Sequence, residues 1–232
     1  MRLNIAMCIK DVELPSYNLK EELINAISHG LGAIFAIIVT VFMLYKVIPT
    51  NDVINIIAVI IYGISLLILF LTSCLYHSLP RNNAKKVFRI LDHNMIFVLV
   101  SGTYTPYTLI ALRNQNIFHL GQGTFAYIIL GFVYLASIVG IIFNSINIKK
   151  YSRLSLICYI LTGWAIVLAI YPLIQTIGEI GTLLLFGGGV IYTLGVVLYS
   201  LGKKKMYFHS IFHIFVLIAT AMMFLSIYYF VL

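Results

Sequence analysis

Long apolar runs constrain this chain more than any other feature. Seven runs of about 20 residues or more follow one another with short polar interruptions, and about 20 residues is the length at which a helix spans a hydrocarbon core of about 30 Å. The runs cover residues 26–48, 53–79, 87–112, 123–143, 154–173, 180–201 and 208–232. The alternating strands of about 10 residues that build membrane barrels do not occur in the sequence. The pattern therefore predicts an all-α integral membrane protein with seven transmembrane helices.

The charge content excludes a soluble globular protein. Of the 232 residues, 62% are hydrophobic and 9% are charged, whereas soluble domains average about 45–50% and about 25%. The 15 basic and 7 acidic side chains are too few to cover a folded chain in water. We therefore expect a membrane domain, residues 25–232, after a short cytoplasmic segment, residues 1–24. The basic residues separate the apolar runs instead of sharing one face, so no nucleic-acid partner is expected.

The distribution of lysine and arginine predicts the orientation in the membrane. The N-terminal segment and every second connection after it together hold 13 of these residues. The connections between them hold only Lys46 and Arg113. Positive charge concentrates on the cytoplasmic side of membrane proteins. We therefore expect a multi-pass protein of the cell membrane with a cytoplasmic N-terminus and an external C-terminus. This orientation is opposite to that of G-protein-coupled receptors, which have the same number of helices.

Histidines gather at one side of the predicted bundle. Five of the six fall at cytoplasmic ends of spans, and they are His29, His77, His93, His209 and His213. The sixth, His119, lies in a connection on the other side. Asp92, the only acid deep in a span, is on the same side as the five. Because a central aspartate costs about 2.5–3.5 kcal/mol on insertion scales, such residues usually mark a functional site or a charge pair.

The histidine spacing predicts a metal site. His209 and His213 are four residues apart, which places both imidazoles on one helix face. With His77 they would form a three-ligand zinc site whose fourth position is open, as in catalytic zinc centres. Imidazole also suits copper and iron, and zinc is favoured because it is the commonest. Asp92 would then take a proton from water at the metal, and Ser73 would hold that water or a substrate carbonyl by a hydrogen bond.

Other interpretations of the same residues stay open at this point. Asp92 could instead pair with Arg89, one helical turn away. Cys74 lies three residues before His77 and is either a further ligand or a packed small residue. His29 and His93, taken singly, are compatible with interfacial or capping positions.

Several of these residues belong to segments that resemble a known family. The segments are ELINAISHG at 22–30, SCLYH at 73–77, LDH at 91–93, SGTYTPY at 101–107, GW at 163–164 and FHSIFH at 208–213. In this order they resemble the signature blocks of the hemolysin III proteins, the bacterial branch of the progestin and adipoQ receptor (PAQR) family.

The resemblance implies a fold, a cofactor and a location. The fold would have seven helices and a cytoplasmic N-terminus, in a bacterial plasma membrane. A zinc ion near the cytoplasmic leaflet would be held by His77, His209 and His213, with Ser73 and Asp92 around the water at the metal. In wider relatives, the adiponectin receptors and alkaline ceramidases, such a site is linked to hydrolysis of lipid amides.

Three functions are compatible with these features. The first is a metal-dependent intramembrane hydrolase, similar to a ceramidase, whose substrate is the amide or ester of a membrane lipid. The second is a non-catalytic regulator or sensor of membrane state in which zinc is structural. The third is a pore-forming haemolysin that acts by cytolysis. A pore needs polar residues through the whole membrane, and these are sparse in the outer half of the spans. The sequence does not separate the first function from the second.

Overall fold

The structure, a computed structural model, describes Ile9 and residues 12–202 and 205–232. These residues are overwhelmingly helical, and no strand is formed among them apart from an isolated bridge between Asn116 and Gln122. The predicted all-α class is therefore confirmed.

Seven α-helices follow one another along the described chain. They are α1 (Leu19–Val47), α2 (Val53–Ser78), α3 (Asn83–Pro106), α4 (Thr124–Asn147), α5 (Ser152–Trp164), α6 (Ile170–Gly202) and α7 (Phe208–Ser226). Short turns extend four of them: 3-10 turns at Ile48–Thr50 and Ala165–Ala169, and π-helical turns at Tyr107–Ala111 and Ile227–Val231. A further 3-10 turn, Ile117–His119, lies in the connection before α4.

Side-chain caps explain where the first helices begin. The Asn18 side chain accepts from the Glu21 amide, and the Glu21 carboxylate accepts from the Asn18 amide, which is a capping box. This cap starts α1 at Leu19, ahead of the apolar run at residue 26, and makes the polar segment before that run helical. Asp52 and Asn82 cap α2 and α3 in the same way, by accepting hydrogen bonds from main-chain amides.

Five helical stretches are long and apolar enough to cross a membrane. They are Leu19–Thr50, Val53–Ser78, Thr124–Asn147, Ser152–Leu201 and Phe208–Val231. This number is smaller than the seven apolar runs of the sequence for two reasons. The α3 segment is not among the five, because its first half carries charged residues. The stretch Ser152–Leu201 is 50 residues long and is interrupted at Gly178, whose backbone (φ 69°, ψ 176°) is not helical.

The helices pack as a ring in which each contacts the next. The ring closes because α1 packs against both α2 and α7. Ala36, Val39 and Met43 of α1 face the interior and are buried, whereas Ile34 and Ile38 on its other face are about half exposed, as expected for a lipid-facing surface.

Small residues allow the closest helix contacts at some positions and not at others. A Cβ atom at Gly140 would lie 2.1 Å from the Phe97 ring, so only glycine permits this contact between α4 and α3. At Gly131 of the same helix, by contrast, nothing lies within 4 Å of such an atom.

The bundle has two chemically different ends. We call the end where α1 and α7 begin and α2 ends the histidine end, because His77 and His209 lie there. The opposite end holds the Asp52–Arg113 ion pair (2.7 Å) and Lys46, which donates to the Tyr228 carbonyl.

Candidate metal centre

Three histidines from two helices meet at the histidine end. His77 lies in the last turn of α2, and His209 and His213 lie in the first two turns of α7. The Nε2 atoms of His209 and His77 are 3.4 Å apart, and those of His213 and His209 are 3.1 Å apart. All three side chains are buried, and one nitrogen from each lies within 4.8 Å of the others. This triad is able to hold a single metal ion.

The start of α7 is fixed by an acid of α1. Tyr207 precedes α7 with a positive φ of 62°, and its main-chain amide donates to Glu21 Oε1 at 2.7 Å. The same carboxylate closes the α1 capping box through its other oxygen. The buried Glu21 side chain thereby joins the beginnings of the first and last helices. This contact fixes the position of His209 along the bundle axis.

A second acid of α1 contacts the triad directly. Glu22 Oε2 lies 2.6 Å from His77 Nδ1, and its other oxygen accepts a hydrogen bond from Lys85 Nζ at 2.7 Å. The Lys85 side chain is only 3% exposed and also donates to the Leu79 carbonyl. Neither Glu22 nor Lys85 was predicted from the sequence as a site residue. The available signal was the position of Glu22 at the start of the first family-like segment.

A chain segment before α1, residues 13–17, covers the triad from outside; we call it the strap. Tyr17 stacks on the His209 ring, with the ring centroids 4.8 Å apart. Arg81 donates to the carbonyls of Leu14 and Pro15. In the exposed part of the strap, the Lys149 ammonium at 2.7 Å from Glu13 holds the pKa of that carboxyl below its usual range.

Arg89 binds the strap and not Asp92. It donates to the Glu13 carbonyl, and no ion pair joins Arg89 to Asp92 in the described ranges. Asp92 instead lies 3.7 Å from His93 Nδ1, and its interaction with Arg89 acts through space without a direct ion pair.

A cavity of about 140 Å³ opens beside the triad and continues into the bundle. At the histidine end it is lined by His213, Ser73, Asp92 and His29. The buried Ser73 hydroxyl lies beside the Asp92 carboxylate and interacts with it. The deeper wall is mainly apolar and extends along α7 to Met223, ten residues and about 15 Å beyond His213. The structure thus brings Ser73 and Asp92 to the same cavity as one member of the triad.

The remaining candidates lie outside the triad. The His29 ring stacks on His213 at 3.8 Å, and neither of its ring nitrogens has a hydrogen-bond partner among the described residues. His93 Nε2 is 2.8 Å from the Tyr199 hydroxyl. Cys74 is a free thiol that does not belong to the group of potential ligands. His119 lies in the turn Ile117–His119, before α4.

Sequence comparisons identify the family. The family model described as "Haemolysin-III related" matches residues 17–224. The chain belongs to the haemolysin III family. It is 37% identical to Hemolysin-3 of Bacillus cereus over 213 residues, which cover 92% of this chain and 93% of that protein. It is 34% identical to the Hemolysin-3 homolog of Bacillus subtilis (strain 168), over 92% and 96% of the two chains.

More distant similarity extends beyond bacteria. The monocyte to macrophage differentiation factor of Homo sapiens is 27% identical over 175 residues, which cover 72% of this chain and 68% of that protein. The family match and the apolar helices together make this haemolysin III-family chain a multi-pass membrane protein. The resemblance stated from the sequence segments is confirmed.

Proposed function

We propose that this family member crosses a bacterial plasma membrane seven times, with a cytoplasmic N-terminus and an external C-terminus. Two observations support seven spans. The α3 segment occupies its own place in the ring, between α2 and α4, and Gly178 divides the longest helical stretch into two parts of membrane-spanning length. In this arrangement the histidine end faces the cytoplasm, residues 1–24 form the cytoplasmic segment and residues 25–232 form the membrane domain. Reporter fusions active only in the cytoplasm test it, and a signal from a C-terminal fusion contradicts it.

The metal in this proposal is zinc, held by His77, His209 and His213. The donor set fits, because three buried imidazole nitrogens close together are the ligands of catalytic zinc sites, which keep one further position open. When bound, zinc supplies Lewis acidity that polarises a carbonyl and makes water a better nucleophile at neutral pH.

The proposed reaction is hydrolysis of the amide or ester bond of a membrane lipid. The observation that carries it is the cavity, which is lined by Ser73, Asp92 and His213 together and is otherwise mainly apolar. Asp92 accepts the proton of the attacking water and returns it to the leaving group. Ser73, whose hydroxyl lies beside the Asp92 carboxylate in this cavity, donates a hydrogen bond to the substrate carbonyl. Leu99, Val216 and Met223 offer an acyl chain a surface that excludes water.

Purified protein in lipid nanodiscs tests this function. A panel of lipid amides and esters is incubated with the zinc-loaded protein and with the same protein after chelation, and released fatty acid is measured. Zinc-dependent release that falls in Ser73→Ala and Asp92→Asn supports the proposal. Zinc-loaded, folded protein that releases nothing from any member of the panel contradicts it.

The arrangement of the ligands favours a second candidate, a regulator in which zinc is structural. His77 comes from α2 and the other two ligands come from α7, and α1 packs against both of these helices. A metal held by the triad would tie α2 to α7 across α1. In that case chelation lowers the thermal midpoint and no lipid is hydrolysed.

A further inference from the structure

The ring nitrogens of the triad do not have equivalent surroundings. His77 Nδ1 lies 2.6 Å from a carboxylate oxygen of Glu22. The rings of His209 and His213 are buried, and neither forms an ion pair with a carboxylate in the described part of the chain. His77 is therefore the member of the triad whose orientation and tautomer are set by another side chain.

The contact with Glu22 selects one tautomer of His77. A neutral imidazole carries a hydrogen on one nitrogen and a lone pair on the other. The carboxylate can only accept, so Nδ1 carries the hydrogen and donates it to Glu22. Nε2, the atom that faces His209 at 3.4 Å, is then left with the lone pair that a metal requires. The Asn25 amide nitrogen is also near Nδ1, at the longer distance of 3.4 Å.

Lys85 explains how an acid is kept in this position. Its ammonium lies 2.7 Å from Glu22 Oε1, and both side chains are largely buried, at 3% and 14% exposure. Buried charges are tolerated when they are paired and hydrogen-bonded. Lys85 lies in the first turn of α3, where the helix dipole disfavours a cation. Its ammonium instead reaches the last carbonyls of α2, where a cation is favoured, by donating to the Leu79 carbonyl at 3.0 Å.

We propose that Glu22 and Lys85 are positioning residues of the metal site: Glu22 holds His77 in its Nε2-binding tautomer, and Lys85 holds Glu22. This inference rests on the proposed metal site. Three helices contribute, with Glu22 from α1, His77 from α2 and Lys85 from α3. Partners of this kind typically change metal affinity by about 10- to 100-fold.

The test measures the zinc dissociation constant of the full-length protein in nanodiscs, by competition with a fluorescent chelator. The main variant is Glu22→Met/Lys85→Met, which removes both charges and keeps the side-chain volume, so that no buried charge is stranded. We expect it to bind zinc about 10- to 100-fold more weakly than wild type. The matched control is Glu13→Met/Lys149→Met, because this exposed pair has the same 2.7 Å separation and joins the strap to the chain beyond α4. Its zinc affinity should stay within about threefold of wild type.

A second variant separates positioning from a general structural role. Glu22→Gln/Lys85→Met restores an uncharged acceptor oxygen opposite His77, and we expect it to recover part of the lost affinity. Equal affinity of the two Lys85→Met double variants, or an affinity of Glu22→Met/Lys85→Met within threefold of wild type, overturns the inference. Wild-type protein that takes up no zinc overturns the proposed metal site itself. Zinc uptake that is lost in His209→Ala/His213→Ala but unchanged by the Glu22 variants overturns only the positioning role.

Discussion

The two ends of the bundle each carry a carboxylate–cation pair at the same distance, 2.7 Å. At the opposite end, Asp52 and Arg113 are 30% and 23% exposed. Asp52 also caps α2 by accepting from the amides of Ile54 and Asn55. The Arg113 guanidinium and these amides hold the pKa of Asp52 below its usual range. This pair holds the connection that follows α3 against the beginning of α2.

At the histidine end, the pair of Glu22 and Lys85 is largely buried and its acid has a third partner, His77. The two pairs have the same distance and differ in their burial and in the third partner. This difference matters because a buried carboxylate shared between a lysine and an imidazole affects what the imidazole can bind. The proposed metal site and reaction therefore belong to one end of the bundle, and the following experiments test this difference between the ends.

The largest effect is expected from removing the triad. His209→Ala/His213→Ala leaves one of the three ligands, so the purified protein should lose nearly all bound zinc, as determined by elemental analysis. His119→Ala, which removes a histidine at the opposite end, is the control and should leave the zinc content unchanged. Full zinc occupancy in the double variant would show that the metal binds elsewhere.

The next effect concerns the acids of the two ends. Asp92→Asn keeps the size of the side chain and removes the base, so lipid hydrolysis should fall by about 10² to 10⁴, the usual contribution of general acid–base catalysis. Zinc content and thermal midpoint should change little, because Arg89 keeps its hydrogen bond to the Glu13 carbonyl after the substitution.

Asp52→Asn is the matched control for this experiment, since it removes a carboxylate of the opposite end. Its turnover should equal that of wild type. A large drop in the thermal midpoint of Asp92→Asn, with no hydrolysis by either protein, would favour the regulator over the hydrolase.

The smallest effect is the pH dependence of the Asp52–Arg113 pair. Because the folded protein lowers the pKa of Asp52, the pair stabilises the fold above the ordinary aspartate pKa of about 3.9, and this stabilisation is lost as the pH falls through the lowered value. Asp52→Asn keeps a capping oxygen but no charge. Its thermal midpoint should lie slightly below that of wild type at neutral pH and low salt, and the difference should vanish in acid and shrink in high salt. A difference that persists in acid would contradict a charge effect.

The all-α fold and the meeting of the three histidines were predictable because both follow from local patterns. Apolar runs of fixed length indicate helices, and the spacing of His209 and His213 places them on one helix face. Because successive spans cross the membrane in opposite directions, the end of α2, which carries His77, lies on the same side as the beginning of α7. The sequence also favoured Ser73 and Asp92 as neighbours of the site, and the structure places both on the cavity wall.

Other parts of the site depend on contacts that no local pattern encodes. Glu22 and Lys85 are 63 residues apart, and Lys85 looked like one more positive charge of a cytoplasmic connection. The strap contains no apolar run, so no pattern in it predicts that Tyr17 stacks on His209. The early start of α1 follows from the capping box at Asn18, which apolar periodicity does not report.

The shared carboxylate of Glu21 has a consequence for biosynthesis. It joins the beginnings of α1 and α7, which are 186 residues apart in the chain. During synthesis the last helix is also the last to enter the membrane, and it brings two of the three histidines of the triad. In a nascent chain that stops before α7, Glu21 therefore has only its capping contact within the first helix, and the second helix carries a single ligand. Capture of a metal ion would accompany the closing of the ring, so that only a completely synthesised chain can hold one.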